Sequence, residues 1–158
     1  MMGPDHYPGG LMNRIAAALA LTLGLLPAAC MHPQPAARLD GTSWQLVELR
    51  SPDASVGIVR PDDAAKYQLD FGADGTLTMK LDCNRGTGRW SARPQAIGYG
   101  ALTVTAGAMT RAMCEAGSLD TRIAKEIGDA HTYSIEGNRL TLILAGNGGS
   151  EIWLLKVE

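Results

Sequence analysis

From residue 39 onward the chain alternates apolar and polar residues in short runs broken by Gly, Asp and Asn, the two-residue period of half-buried β-strands. The first run, residues 42–49, sets Trp44, Leu46 and Glu48 on one face. Residues 51–61 are polar and bounded by prolines, and read as a loop. Tyr67, Leu69 and Phe71 then alternate with Gln68 and Asp70, and Gly72-Ala73-Asp74-Gly75 turns the chain. Residues 76–82 return with Leu77, Met79 and Leu81 facing one way and Thr78, Lys80 and Asp82 the other, which predicts a hairpin with its inner and outer faces marked. After a connection at 84–88, residues 89–92 form a short strand around Trp90 and 101–106 form another. The segment 93–100 between them holds Pro94, Gly98 and Gly100 and reads as a loop.

One helix interrupts this pattern. Ser118 can cap its start, Leu119, Ile123 and Ile127 recur at four-residue spacing, and Gly128 is placed to end it. Three strands close the chain at 132–136, 139–145 and 151–157, joined by a tight turn at Glu136-Gly137-Asn138 and a looser one at 146–149. In the last two strands Leu140, Leu142 and Leu144 face away from Ile143, and Ile152 and Leu154 away from Trp153 and Leu155. Both faces are therefore apolar, and cover is expected on each, a helix supplying one of them.

The N-terminus follows a different pattern. Met12-Asn13-Arg14 precedes an apolar run at 15–26, the length of a signal-peptide core and short of the roughly 20 residues that span a bilayer. Pro27-Ala28-Ala29-Cys30 behind it resembles the lipobox of bacterial lipoproteins, with Pro27 where an aliphatic residue is usual. Ordinary cleavage after Ala29 is the alternative. The expected organisation is a signal peptide over residues 1–29, whose true start is Met12, a lipidated Cys30 with a proline-rich tether over 30–38, and a folded domain over 39–158. Met31, rather than Asp, after the cysteine favours the outer membrane by the same resemblance, the domain facing the periplasm.

Composition narrows the function classes. With 14 Lys and Arg against 16 Asp and Glu, and no basic run, the chain lacks the surface that nucleic-acid binding requires. Removal of the signal and modification of Cys30 leave Cys83 and Cys114 as the thiols of the domain. A catalytic thiol, a zinc site and a disulfide are the three readings. His131 is the domain's one candidate base, and no C-x-x-C spacing is present, so the exported context favours a structural disulfide. Asp74-Gly75 reads as a turn, not a calcium loop, and no metal or cofactor is expected. Arg85, Arg89 and Arg93 read as solvated charges that, with Arg111, could form an anion-binding edge, and Asn84 as a turn former. Asn84, Arg85, Thr110 and Arg111 make up the candidate binding edge.

Taken in order, Trp44 in the first strand, F-G-A-D-G before a strand that leads into C-N-R-G, T-R-A-M-C about thirty residues later, a helix, and Y-S-I-E-G-N-R-L-T-L resemble the META domain, the family of the HslJ-type heat-inducible bacterial lipoproteins. The resemblance implies a mainly β (α+β) fold, a small partly open antiparallel β-barrel of about eight strands with one packed α-helix. It further implies a role tied to heat shock, envelope stress and antibiotic tolerance, with no enzymatic activity. Two expectations follow. The first is a non-enzymatic stress lipoprotein acting through protein contacts, marked by an exposed apolar patch. The second is a module holding a lipid tail or another hydrophobic small molecule in the barrel mouth, marked by an apolar cavity.

Overall fold

In the computed structural model, which describes residues 38–157, the alternating runs become nine strands and one helix in chain order. They are β1 (Thr42–Arg50), β2 (Ile58–Val59), β3 (Tyr67–Phe71), β4 (Thr76–Leu81), β5 (Asn84–Ala96), β6 (Tyr99–Met109), α1 (Asp120–Glu126), β7 (Ala130–Glu136), β8 (Arg139–Leu144) and β9 (Ser150–Leu155). All neighbours are antiparallel, and β9 pairs back onto β1, so eight strands close a barrel and β2 is an extra strand beside β1. Closure removes the sheet edges that would otherwise invite association. The thinnest seam lies between β6 and β7, where pairing is confined to Tyr99, Gly100 and Ala101 against Ser134, Tyr133 and Thr132.

The expected hairpin forms in register. Tyr67, Leu69 and Phe71 lie opposite Leu81, Met79 and Leu77, and all six side chains are buried. Trp44, Leu46, Leu140, Leu142 and Trp153 project into the same interior, so the barrel is a packed core and not a lumen. Each such side chain contributes about 1.5–3 kcal/mol of burial.

Several of these expectations change. Glu48 does not share the face of Trp44 and Leu46, because a bulge between Leu46 and Glu48 shifts the phase of β1 and turns Leu49 inward instead. Glu48 faces out, where hydrogen bonds from Arg50 and Arg60 hold its carboxyl below the usual range. Residues 93–100 are not a loop but the far end of a long β5–β6 hairpin that turns at Ile97-Gly98. Pro94 is tolerated there because β5 pairs with β4 only as far as Arg89, and beyond Trp90, whose N–H reaches Gly75 O, no strand among the described residues lies beside that edge. Gly100 is required for packing, since a Cβ would lie 2.4 Å from Arg93 O.

The helix also differs. It is shorter than its apolar spacing implied, ending at Glu126, and it runs on as a 3-10 turn, Ile127–Asp129, that contains Gly128. The cap residue is Leu119 rather than Ser118; Ser118 Oγ accepts from Asp120 N at 3.3 Å, while the Tyr67 hydroxyl accepts from Leu119 N at 2.9 Å. Nor does the helix cover the outside of the last strands: it packs against β4 and sends Ile123 and Ile127 into the barrel core. The outer face of β8 is left in water, with Ile143 37% exposed.

Candidate functional site

Two neighbourhoods gather the residues that carry chemistry. The first forms where β4 turns into β5. Leu81 pairs with Asn84, so Asp82-Cys83 is a two-residue turn, with Asp82 at φ 56° as its short polar side chain allows. Cys83 is bonded to Cys114 across a sequence separation of 31, with their Cα atoms 5.6 Å apart. That bond removes both thiols from nucleophilic or metal chemistry.

Asn84 sits beside the disulfide, buried, in the first position of β5 rather than in the turn. Its Nδ2 donates to Ala112 O at 3.0 Å and to Asp120 Oδ2 at 2.9 Å, and its Oδ1 accepts from Thr110 Oγ1 at 2.9 Å and Ala112 N at 2.8 Å. One amide thus holds the segment after β6 and the first residue of α1. Thr110 completes the lattice by accepting from Arg85 N at 2.8 Å, and the Arg85 guanidinium donates to Asp82 O and Asn84 O. The candidate binding edge is therefore brought together at Asn84, Arg85 and Thr110, whose polar groups bond to one another and to the backbone; Arg111 is exposed beside them. Arg89 and Arg93 point outward along β5, and Arg89 donates to Asp74 O at 3.2 Å. His131 is exposed at a bulge in β7. Cys30 lies outside the described residues.

The second neighbourhood is the end of the β5–β6 hairpin. Ile97 at its tip is 91% exposed and Tyr99 41% exposed. Along the unpaired edge of β5 runs an open cleft of about 700 Å³, walled by Trp90, Ala92, Leu39 and Tyr133, with Arg38 and Asp40 at its rim. Trp90 is fixed in the wall: its Nε1 donates to Gly72 O at 3.1 Å, and its ring meets Phe71 edge-on at 5.3 Å. Burial, with the charge of Asp40 in second place, pushes the Tyr133 phenol upward. Sequence reasoning missed this cleft because it assigned the hairpin end to a loop; the alternation of Trp90 and Ala92 with Ser91 and Arg93 was the available signal.

Glu151 was missed as well. It is wholly buried on the inward face of β9, where Trp153 Nε1 donates to its Oε2 at 3.1 Å and its Oε1 has no partner. Burial first, and then the neighbouring charge of Glu126, push its carboxyl up to about 8. The period that turns Trp153 inward gives the same direction for Glu151.

Residues 37–155 match the META domain. Among solved structures, the chain is similar to a protein from Burkholderia xenovorans, at 19% identity and a TM-score of 0.59, over 76% of this chain and 85% of that one. It is also similar to a DUF4847 family protein from Bacteroides vulgatus, at 15% identity and a TM-score of 0.54, over 72% of this chain and 92% of that one. At these identities the likeness is one of fold. No curated protein matches the sequence.

Proposed function

Because the chain belongs to the META domain family, we propose that it is a non-enzymatic lipoprotein of the bacterial envelope, anchored through Cys30 in the outer membrane, that serves a stress response by contacting another envelope protein. The observation that carries this reading is the exposed apolar tip of the β5–β6 hairpin. An isoleucine 91% exposed gains nothing for the fold from its position, and its neighbour Tyr99 extends the apolar surface toward the cleft. Labelled fatty acid should enter the protein, and Cys30→Ser should release it from membranes. In a deletion strain, wild type should restore survival of heat or antibiotic challenge. Ile97→Asp, a surface change worth under about 0.5 kcal/mol in stability, should fail to restore it. Full restoration by a membrane-released Cys30→Ser protein or by Ile97→Asp would overturn the reading.

The cleft favours a second reading, a hydrophobic small molecule held against Trp90 and Tyr133 rather than inside the filled barrel. Stoichiometric binding of an anilinonaphthalene dye that is abolished by Ala92→Arg would support it; absence of binding would reject it.

A further inference from the structure

The outward side chains of β4 and β5 carry charge of one sign. On β5 they are Arg85, Thr87, Arg89, Ser91 and Arg93, all exposed. In register, Lys80 on β4 lies opposite Arg85, and Arg89 lies between Thr76 and Thr105. At four-residue spacing along a strand the arginines stand about 13 Å apart, in a row of about 26 Å. From Gly75 to Thr110 the one acidic residue is Asp82, in the β4–β5 turn, although the whole chain has a net charge of -2.

None of the ion pairs among the described residues neutralises this row; they join Glu48 to Arg50 and Arg60, Asp62 to Lys66, and Glu126 to Arg122. Lys80 donates instead to Ala65 O at 2.7 Å, Arg85 to Asp82 O and Asn84 O, each at 2.8 Å, and Arg89 to Asp74 O at 3.2 Å. Carbonyls position these side chains and leave their charge in place. Asp74, in the β3–β4 turn, is held below the usual carboxylate range by hydrogen bonds from Thr76 first and by the charge of Arg89 last. Like charges directly opposite on neighbouring strands destabilise a sheet, so the Lys80–Arg85 pair works against the fold.

The chain enters the domain beside one end of the row. Arg38, the first described residue, lines the same cleft as Ser91, Pro94 and Gln95. With Cys30 acylated, the stretch from Cys30 to Arg38 reaches at most about 30 Å, which keeps that end of the row next to a lipid surface. We propose that the outward face of β4 and β5 docks on anionic phospholipid headgroups, Lys80, Arg85, Arg89 and Arg93 meeting the phosphates and laying the anchored barrel on its side. The choice of a bilayer as partner rests on the anchoring proposed above. Positions beside the row carry the hydroxyls of Thr78, Thr87, Ser91, Thr103 and Thr105, which suits a face that rests on hydrated headgroups. A row of this size orients a domain that is already anchored and does not hold it by itself, so release by Cys30→Ser is still expected.

Vesicle sedimentation of the signal-free chain, residues 31–158, which holds every strand of the barrel and the disulfide, tests the face. At an ionic strength of about 0.1 M, where charges more than about 10 Å away are screened, it should bind phosphatidylglycerol vesicles and not phosphatidylcholine vesicles. About 1 M salt should abolish the binding. Changing Arg85, Arg89 and Arg93 together to Gln should weaken it about a hundredfold. Changing Lys125, Arg139 and Lys156 together to Gln removes the same charge from exposed positions on other parts of the surface, and should weaken it less than about threefold. Circular dichroism checks that both variants fold. Absence of binding to phosphatidylglycerol, or equal weakening by the two sets of changes, would overturn the proposal. Binding of polyglutamate without binding of the vesicles would also overturn it, and would assign the face to an acidic protein. This chain carries no lipid, so its result is independent of acylation at Cys30, which the labelled fatty acid tests.

Discussion

At the scale of single residues, Asn84 serves donors and acceptors together from one buried side chain. Its amide donates and accepts at once, meeting Ala112 N, Ala112 O, the Thr110 hydroxyl and the Asp120 carboxylate. Asn84→Ala would leave these groups without partners in a buried place, at about 3 kcal/mol. Asn84→Asp should be worse than alanine, because it sets a second carboxylate against Asp120 and removes the donor to Ala112 O. Urea unfolding of the two variants checks the order, and an Asp variant as stable as wild type would contradict it. Asn84 and Glu151 were not legible as buried polar residues for a common reason. Single polar residues at the start of a strand look like strand ends, and only the closed barrel buries them fully, although the two-residue period already sets Glu151 on the face of Trp153.

At the scale of elements, the disulfide and Asn84 secure the same segment, which runs from the end of β6 to the start of α1. The loop closed by a separation of 31 predicts roughly 3.7 kcal/mol of stabilisation from chain entropy, or a loss of ~10 to 15 °C in Tm on reduction. The double change Cys83→Ala, Cys114→Ala should give the same loss and still fold, since β3, β4 and the closing strands bury their own core. Thermal unfolding monitored by circular dichroism checks both; an unchanged Tm in the double variant would contradict the estimate. Combined with Asn84→Ala, the losses should not add, because both act on one segment. Strand positions were legible wherever a run is flanked by partners on both sides, as in β3, β4 and β8. The long hairpin was not, because Pro94, Gly98 and Gly100 carry the marks of a loop. Each of them has a local reason to sit in or next to a strand: Pro94 on an unpaired edge, Gly98 at φ 69° in the turn, and Gly100 pressed against Arg93.

For the whole molecule, a closed barrel with a filled interior leaves its outside to carry function. Alternation along the chain and the ordered motifs around Cys83 and Cys114 were sufficient to reach the META fold, because both follow from how strands bury one face. The proposed contact surface was hidden, because exposure of Ile97 depends on where the hairpin projects and not on its local sequence. The proposed contact at that tip is tested most directly in living cells by a photo-crosslinking residue placed in turn at positions 97, 99 and 143. Positions 97 and 99 should each give a discrete adduct with the same protein. The adduct from position 99 should vanish when Ile97 is changed to Asp, and position 143, exposed on the outer face of β8, should give none. Equal adducts from positions 97 and 143, or none from 97, would contradict the account.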